Sequence, residues 1–209
     1  VAGVTASAGD AYAEPARAAS FDLRVRGSRF VADVAIVRDA AAAHEVLDRC
    51  RRRFRDATHI AYACRLRGAG GAIRARSADA GEPSGTAGRP ILAVIEGAGV
   101  VNALVTVSRW FGGTKLGTGG LARAYGEAAA GALAAAGATA CFDVEEVTIE
   151  CGYEAVALVK RVVAPPEVAL RVEEFGTAAR FVLAIRRSRV PEVADRLAAA
   201  GVRFRRSGG

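Results

Sequence analysis

Hydrophobic and polar positions change rhythm several times along this chain. From residue 30 to 37 they alternate, Val31, Asp33 and Ala35 against Ala32, Val34 and Ile36, the period of a strand. Asp39 then stands as an N-cap, and Val46, Leu47, Cys50 and Phe54 recur at three- and four-residue steps, which predicts a helix over residues 39–53. Residues 59–66 form a mostly apolar run and predict a second, buried strand, while the Gly/Arg-rich residues 68–80 predict a mobile connection. Thr86 is placed to cap a helix reaching about residue 96, with Pro90 tolerated in its first turn. β-Branched residues crowd positions 100–110, a third strand, and residues 119–136 carry Leu121, Tyr125, Ala128, Ala132 and Leu133 on one helical face.

Beyond Gly137 the pattern is strand (141–151), helix (153–162), two strands (168–175 and 178–187), helix (191–200) and short strand (202–206). That order is the β-α-β-β-α-β, ferredoxin-like pattern. The chain thus divides into an unpatterned, loose tail over residues 1–17, a first α+β domain over 18–137 and a ferredoxin-like domain over 138–209.

Composition narrows the class. With 52% apolar and 24% charged residues the chain reads as globular, and it has no run of about eighteen apolar residues to span a bilayer. Asp10 and Glu14 precede any basic residue, so a secretory leader is not expected and a cytoplasmic location is. In a chain without methionine, Val1 need not be the native start. Cys50, Cys64, Cys141 and Cys151 stand far apart with only His44 and His59 to join them, so buried thiols are expected and no metal site or cofactor. The formal charge is +7, and residues 1–137 carry eighteen bases against twelve acids, a net +6. A polyanionic partner is therefore plausible for the first domain, and Arg49, Arg51, Arg52, Arg53 and Arg55 form its densest basic cluster.

Two glycine-laden segments, residues 81–90 and 109–120, each run into a helix-like stretch whose first amides suit an anion. Gly85, Gly88, Gly112, Gly113, Gly117, Gly119 and Gly120 let backbone N–H groups approach a ligand. Ser84, Thr86, Thr114 and Thr118 add hydroxyls, and Arg89, Arg109, Lys115 and Arg123 add cations. Neither segment is a Walker loop or a dinucleotide fingerprint. The same glycines also suit tight strand-to-helix turns with Thr86 and Thr118 as caps, and the sequence leaves both readings open. Glu82 and His59 are the weak catalytic candidates, as an acid/base pair. Trp110 and Phe111 are candidates for base stacking.

The order Asp-x-Gly-Glu-Pro-Ser-Gly-Thr-Ala-Gly at residues 79–88, then Arg-aromatic-aromatic-Gly-Gly-x-x-Leu-Gly-Thr-Gly-Gly-Leu at 109–121, resembles the YigZ/IMPACT family. Ala57-Thr58-His59 and Ser28-Arg29-Phe30 fall where that family has similar residues. The chain departs from the wording at Ala80, where bacterial relatives commonly have a second Asp, and at Gly27, where they commonly have Lys. The resemblance implies a first domain with the fold of the second domain of ribosomal protein S5. It implies a second domain like the ferredoxin-like domains of translational GTPases. Its eukaryotic member IMPACT regulates translation by binding partner proteins upstream of an initiation-factor kinase. The leading expectation is a cytoplasmic, non-enzymatic binding protein that contacts RNA or a ribosome- or translation-associated partner through a basic surface and both segments. The alternatives are an enzyme acting on a phosphorylated or carboxylated metabolite, and a protein-interaction module with no anion site.

Overall fold

The computed structural model describes residues 9–206, the side chain of Ala69 excepted. The chain falls into two units, residues 12–141 and residues 142–206 with 9–11. Both units are α+β.

The first runs β1 (Ala11–Pro15), β2 (Ala19–Val25), β3 (Ser28–Ile36), α1 (Ala40–Arg53), β4 (His59–Arg67), β5 (Ile73–Ala78), α2 (Gly88–Gly97), β6 (Ala103–Trp110), α3 (Gly117–Ala136) and β7 (Ala138–Phe142). Strands β2, β3, β6, β4 and β5 lie in that order in one sheet with every neighbouring pair antiparallel. Alternation along the strands sorts side chains to two faces. Phe30, Ala32, Val34, Ala61, Ala63, Val105 and Val107 meet α2 and α3, where Ile91, Ile95, Tyr125 and the Ala128/Ala129/Ala132 stripe close the main core. Cys64 and Leu104 face the other way and meet Ala43 and Leu47 of α1. Asp39 caps α1 as its position predicts, accepting from the Ala42 amide at 2.7 Å.

Three expectations are corrected. The loose tail over 1–17 is not one at residues 11–15, which form β1 beside β7; residues 1–8 lie outside the described residues. Its Glu14 is buried and binds Arg38 and Asn102, long-range partners that no local pattern reveals. The mobile connection at 68–80 contains β5, an edge strand laddered to β4. Its composition, Ile-Arg-Ala-Arg-Ser-Ala, lacks a buried face and so lacks a strand pattern. The second helix begins at Gly88 and not at a Thr86 cap.

The second unit runs β8 (Val144–Cys151), α4 (Val156–Val162), β9 (Val168–Phe175), β10 (Ala179–Arg186), α5 (Val190–Ala198) and β11 (Phe204–Arg206). Its antiparallel sheet has the order β11-β8-β10-β9. Ile149, Phe181, Leu183 and Ile185 pack on Val159, Val162, Val193 and Leu197 of the two helices. Asp10 belongs to this unit and accepts from Arg186 Nε at 2.9 Å and the Ser188 amide at 2.7 Å. Among the described residues no helix is long and apolar enough to cross a membrane.

Candidate functional site

Both glycine segments start from one end of the first unit's sheet. Register sets Arg29 opposite Trp110 and His59 opposite Arg109, so β3 and β4 begin where β6 ends. Arg26 and Gly27, both at positive φ (47° and 82°), make the two-residue turn from β2 to β3. Gly112 lies directly on that turn: a Cβ on Gly112 would stand 1.9 Å from the Gly27 carbonyl carbon. The buried Ser28 hydroxyl accepts from the Gly112 amide at 3.2 Å, and Thr58 Oγ accepts from the Phe111 amide at 3.1 Å. Gly112 is therefore required by backbone-on-backbone packing.

A buried ion pair joins the two segments at their roots. Arg109, only 5% exposed, donates from Nη1 to Glu82 Oε1 at 2.6 Å, and Tyr125 of α3 donates its hydroxyl to the same oxygen at 2.8 Å. The guanidinium carbon stands 5.5 Å from the Phe30 ring and 5.6 Å from the Phe111 ring. Arg109 Nε has no partner among the described atoms. Burial first, and then the bond to Glu82, push the Tyr125 phenol well above its ordinary range. The Glu82 carboxylate is thus committed to structural donors, and Arg109 is an internal cation and not a surface one.

The first segment already holds an anion of its own. The Asp79 carboxylate accepts from the amides of Gly85 (2.8 Å), Ala87 (2.9 Å) and Gly88 (2.8 Å), so it caps α2 from nine residues upstream of the helix. Burial alone would raise this carboxyl, but the three amides and the nearby Arg89 charge outweigh it and hold the group below the usual range. The amides of Gly85 and Gly88, expected to face a ligand, face Asp79 instead. Thr86 is buried, with its hydroxyl donating to the Pro83 carbonyl at 2.7 Å, and it caps nothing. A Cβ on Gly88 would stand 2.8 Å from the Ala78 amide nitrogen, so that glycine too serves close packing. Ser84 and Arg89 remain exposed.

The second segment is different. Phe111 (48% exposed), Gly112, Gly113, Thr114, Lys115, Gly117, Thr118 and Gly119 are all exposed, and Gly120 is half-buried. They lead into the twenty-residue α3, whose N-cap, Leu116, offers no side-chain cap. Gly113 and Gly117 take positive φ (86° and 70°), and a Cβ at Gly113, Gly117 or Gly119 would meet nothing within 4 Å. Beside this turn a shallow cavity of about 310 Å³ is lined by Arg26, Leu116, Gly120, Arg123 and Glu127. Arg123 also donates to the Gly119 carbonyl at 3.3 Å.

The other candidates take structural partners. His59 Nδ1 lies 3.0 Å from the Ala80 carbonyl oxygen. Trp110 donates to Asp56 at 2.9 Å and packs edge-on against Phe54, which leaves Phe111 as the exposed ring. In the basic cluster Arg49, Arg51 and Arg53 stand within 4 Å of Glu45, Asp48 and Asp33, while Arg52 and Arg55 point to solvent. Sequence reasoning missed Asp79 as a cap and Tyr125 as a partner of Glu82. For Asp79 the available signal was an Asp six residues before Gly85, able to receive loop amides.

The family model for the Impact N-terminal domain matches residues 26–133, which contain both segments. The chain is 43% identical over 136 residues to an IMPACT family member in the pol 5' region of Thermus thermophilus, spanning 65% of this chain and 71% of that relative. It is 34% identical over 129 residues to the IMPACT family member YigZ of Escherichia coli, spanning 62% of this chain and 63% of that relative. A crystal structure described as that of an hypothetical protein matches 93% of this chain and 96% of its own, with a TM-score of 0.67 at 26% identity. With that family model spanning half of its length and with Ser28, Glu82 and Arg109 buried at its centre, the chain belongs to the IMPACT family.

Proposed function

We propose that this protein is a cytoplasmic, non-enzymatic binding protein linked to translation, and that it contacts RNA through the exposed turn at residues 111–120 and the cations around it. One observation carries the reading. Of the two glycine segments, the first is filled by Asp79, whereas the second is solvent-exposed, bears Lys115 and Phe111 outward, and opens an uncapped helix flanked by Arg26 and Arg123. Amides, a cation and an exposed ring are the donors that bind phosphates and stack on bases without reading sequence. The link to translation rests on the family resemblance. The finer fold reading, an S5-domain-2-like unit followed by a ferredoxin-like one, belongs to the same proposal, and the order β11-β8-β10-β9 supports its second half. Glu82 and His59 hold structural partners, which favours binding over acid/base chemistry.

Fluorescence anisotropy with labelled single-stranded RNA tests this. Log affinity should fall by about 0.7 per phosphate contacted for each tenfold rise in salt, and Lys115→Ala should reduce that slope by about 0.7. Absent or salt-independent binding refutes the RNA reading. A lysate partner that survives nuclease treatment would then point to a protein-interaction module.

A further inference from the structure

A second recess lies at the opposite end of the same sheet, on its α1 face. Its volume is about 400 Å³, within the range of small-ligand pockets. Its floor is apolar: Ala43 and Leu47 from α1 with Tyr62, Cys64 and Leu66 from β4. Register places Arg74 opposite Leu66 and Arg76 opposite Cys64, so both arginines stand on the α1 face, two residues apart on the edge strand β5, directly beside that floor. The lining carries four arginines and His44 against one acid, Asp39. Asp39 is committed to the α1 amide and Arg38 to Glu14. Neither Arg74 nor Arg76 is ion-paired among the described residues, and both are exposed.

We propose that this recess binds a small, soluble amphipathic anion, its carboxylate or phosphate held by Arg74 and Arg76 and its aliphatic or aromatic body laid on Leu47, Tyr62 and Leu66. Two neighbouring guanidinium groups with no ion-paired acid suit an oxyanion bidentately. A floor sunk between helix and sheet, and not a protruding apolar surface, suits a molecule of limited size and not a membrane. This does not rest on the RNA reading, because the residues belong to the other end of the sheet.

Isothermal titration of the full chain with octyl phosphate, kept below its micellar concentration, is the test. One-to-one binding is expected, with octylammonium failing to bind and both octanol and inorganic phosphate at least about tenfold weaker. Arg74→Gln/Arg76→Gln should weaken octyl phosphate at least about tenfold with an unchanged melting temperature. Leu66→Gln should weaken it independently, and Lys115→Ala should leave it unchanged. Equal binding of octanol, equal binding of inorganic phosphate, full affinity in the double arginine variant, or binding only to phosphatidylglycerol vesicles would each overturn the proposal. In that event Arg74 and Arg76 serve only to keep the edge of β5 from pairing with other chains.

Discussion

Replacing Arg109 separates a structural from a binding role. Arg109→Met preserves most of the side-chain length but removes the cation, leaving the Glu82 carboxylate, itself only 8% exposed, with the Tyr125 hydroxyl as its remaining donor. An uncompensated buried charge of this kind costs about 3–5 kcal/mol, against a typical total stability of about 5–15 kcal/mol. At a urea slope of about 2 kcal/mol/M the unfolding midpoint should fall by about 2 M. Trp110 is the chain's one tryptophan and lies in the same unit, so its fluorescence follows the relevant transition. Glu82→Gln in the same chain removes the stranded charge yet keeps an oxygen for Tyr125, and should recover about 1–3 kcal/mol of the loss. Arg109→Met within about 1 kcal/mol of the parent, or a double variant no more stable than Arg109→Met alone, would refute the argument. Any loss of RNA affinity in Arg109→Met then follows from unfolding, which makes Lys115 the proper probe of contact.

Asp79→Ala should cost about 1–2 kcal/mol at neutral pH, since it exposes the α2 amides. Because the native Asp79 pKa lies below the ordinary 3.8, its contribution is full above that value and fades as pH falls through the lowered native one, so the gap between parent and variant in urea melts should close in strong acid. Gly112→Ala should destabilise by at least about 1–3 kcal/mol because its Cβ meets the Gly27 backbone, whereas Gly119→Ala, with open space around it in α3, should be neutral or stabilise by up to about 1 kcal/mol; thermal melts compare the two. Tyr125→Phe should lose about 1.5–3 kcal/mol, and in the parent the Tyr125 phenol should resist ionisation in a 295 nm titration until alkaline unfolding.

What was legible in the sequence was whatever depends on neighbours in order. The α1 cap at Asp39, the strand at His59, the β6 run into Trp110 and the β-α-β-β-α-β order all carry local periodicity or caps. β2 and β5 carry no such signal, because Ala19–Val25 and Ile73–Ala78 are largely exposed and owe their form to ladders with β3 and β4. The residues predicted for the site stand out for their glycines, but what those glycines do depends on partners that tertiary structure delivers. Asp79 turns one segment inward, and the Gly27 backbone claims Gly112. The carboxylate that looked like a catalytic candidate, Glu82, has its role decided by Tyr125, forty-three positions away.

The bend after β6 separates anchorage from display. Everything that holds it, Arg109 to Glu82 and the Phe111 and Gly112 amides to Thr58 and Ser28, is spent before Gly113. From Gly113 to Lys115 every residue is exposed. This stretch is a ready splice point: a short epitope grafted between Thr114 and Lys115 would ride on the scaffold without touching a residue that builds it, so relatives could exchange this tip and change what they recognise while keeping one architecture.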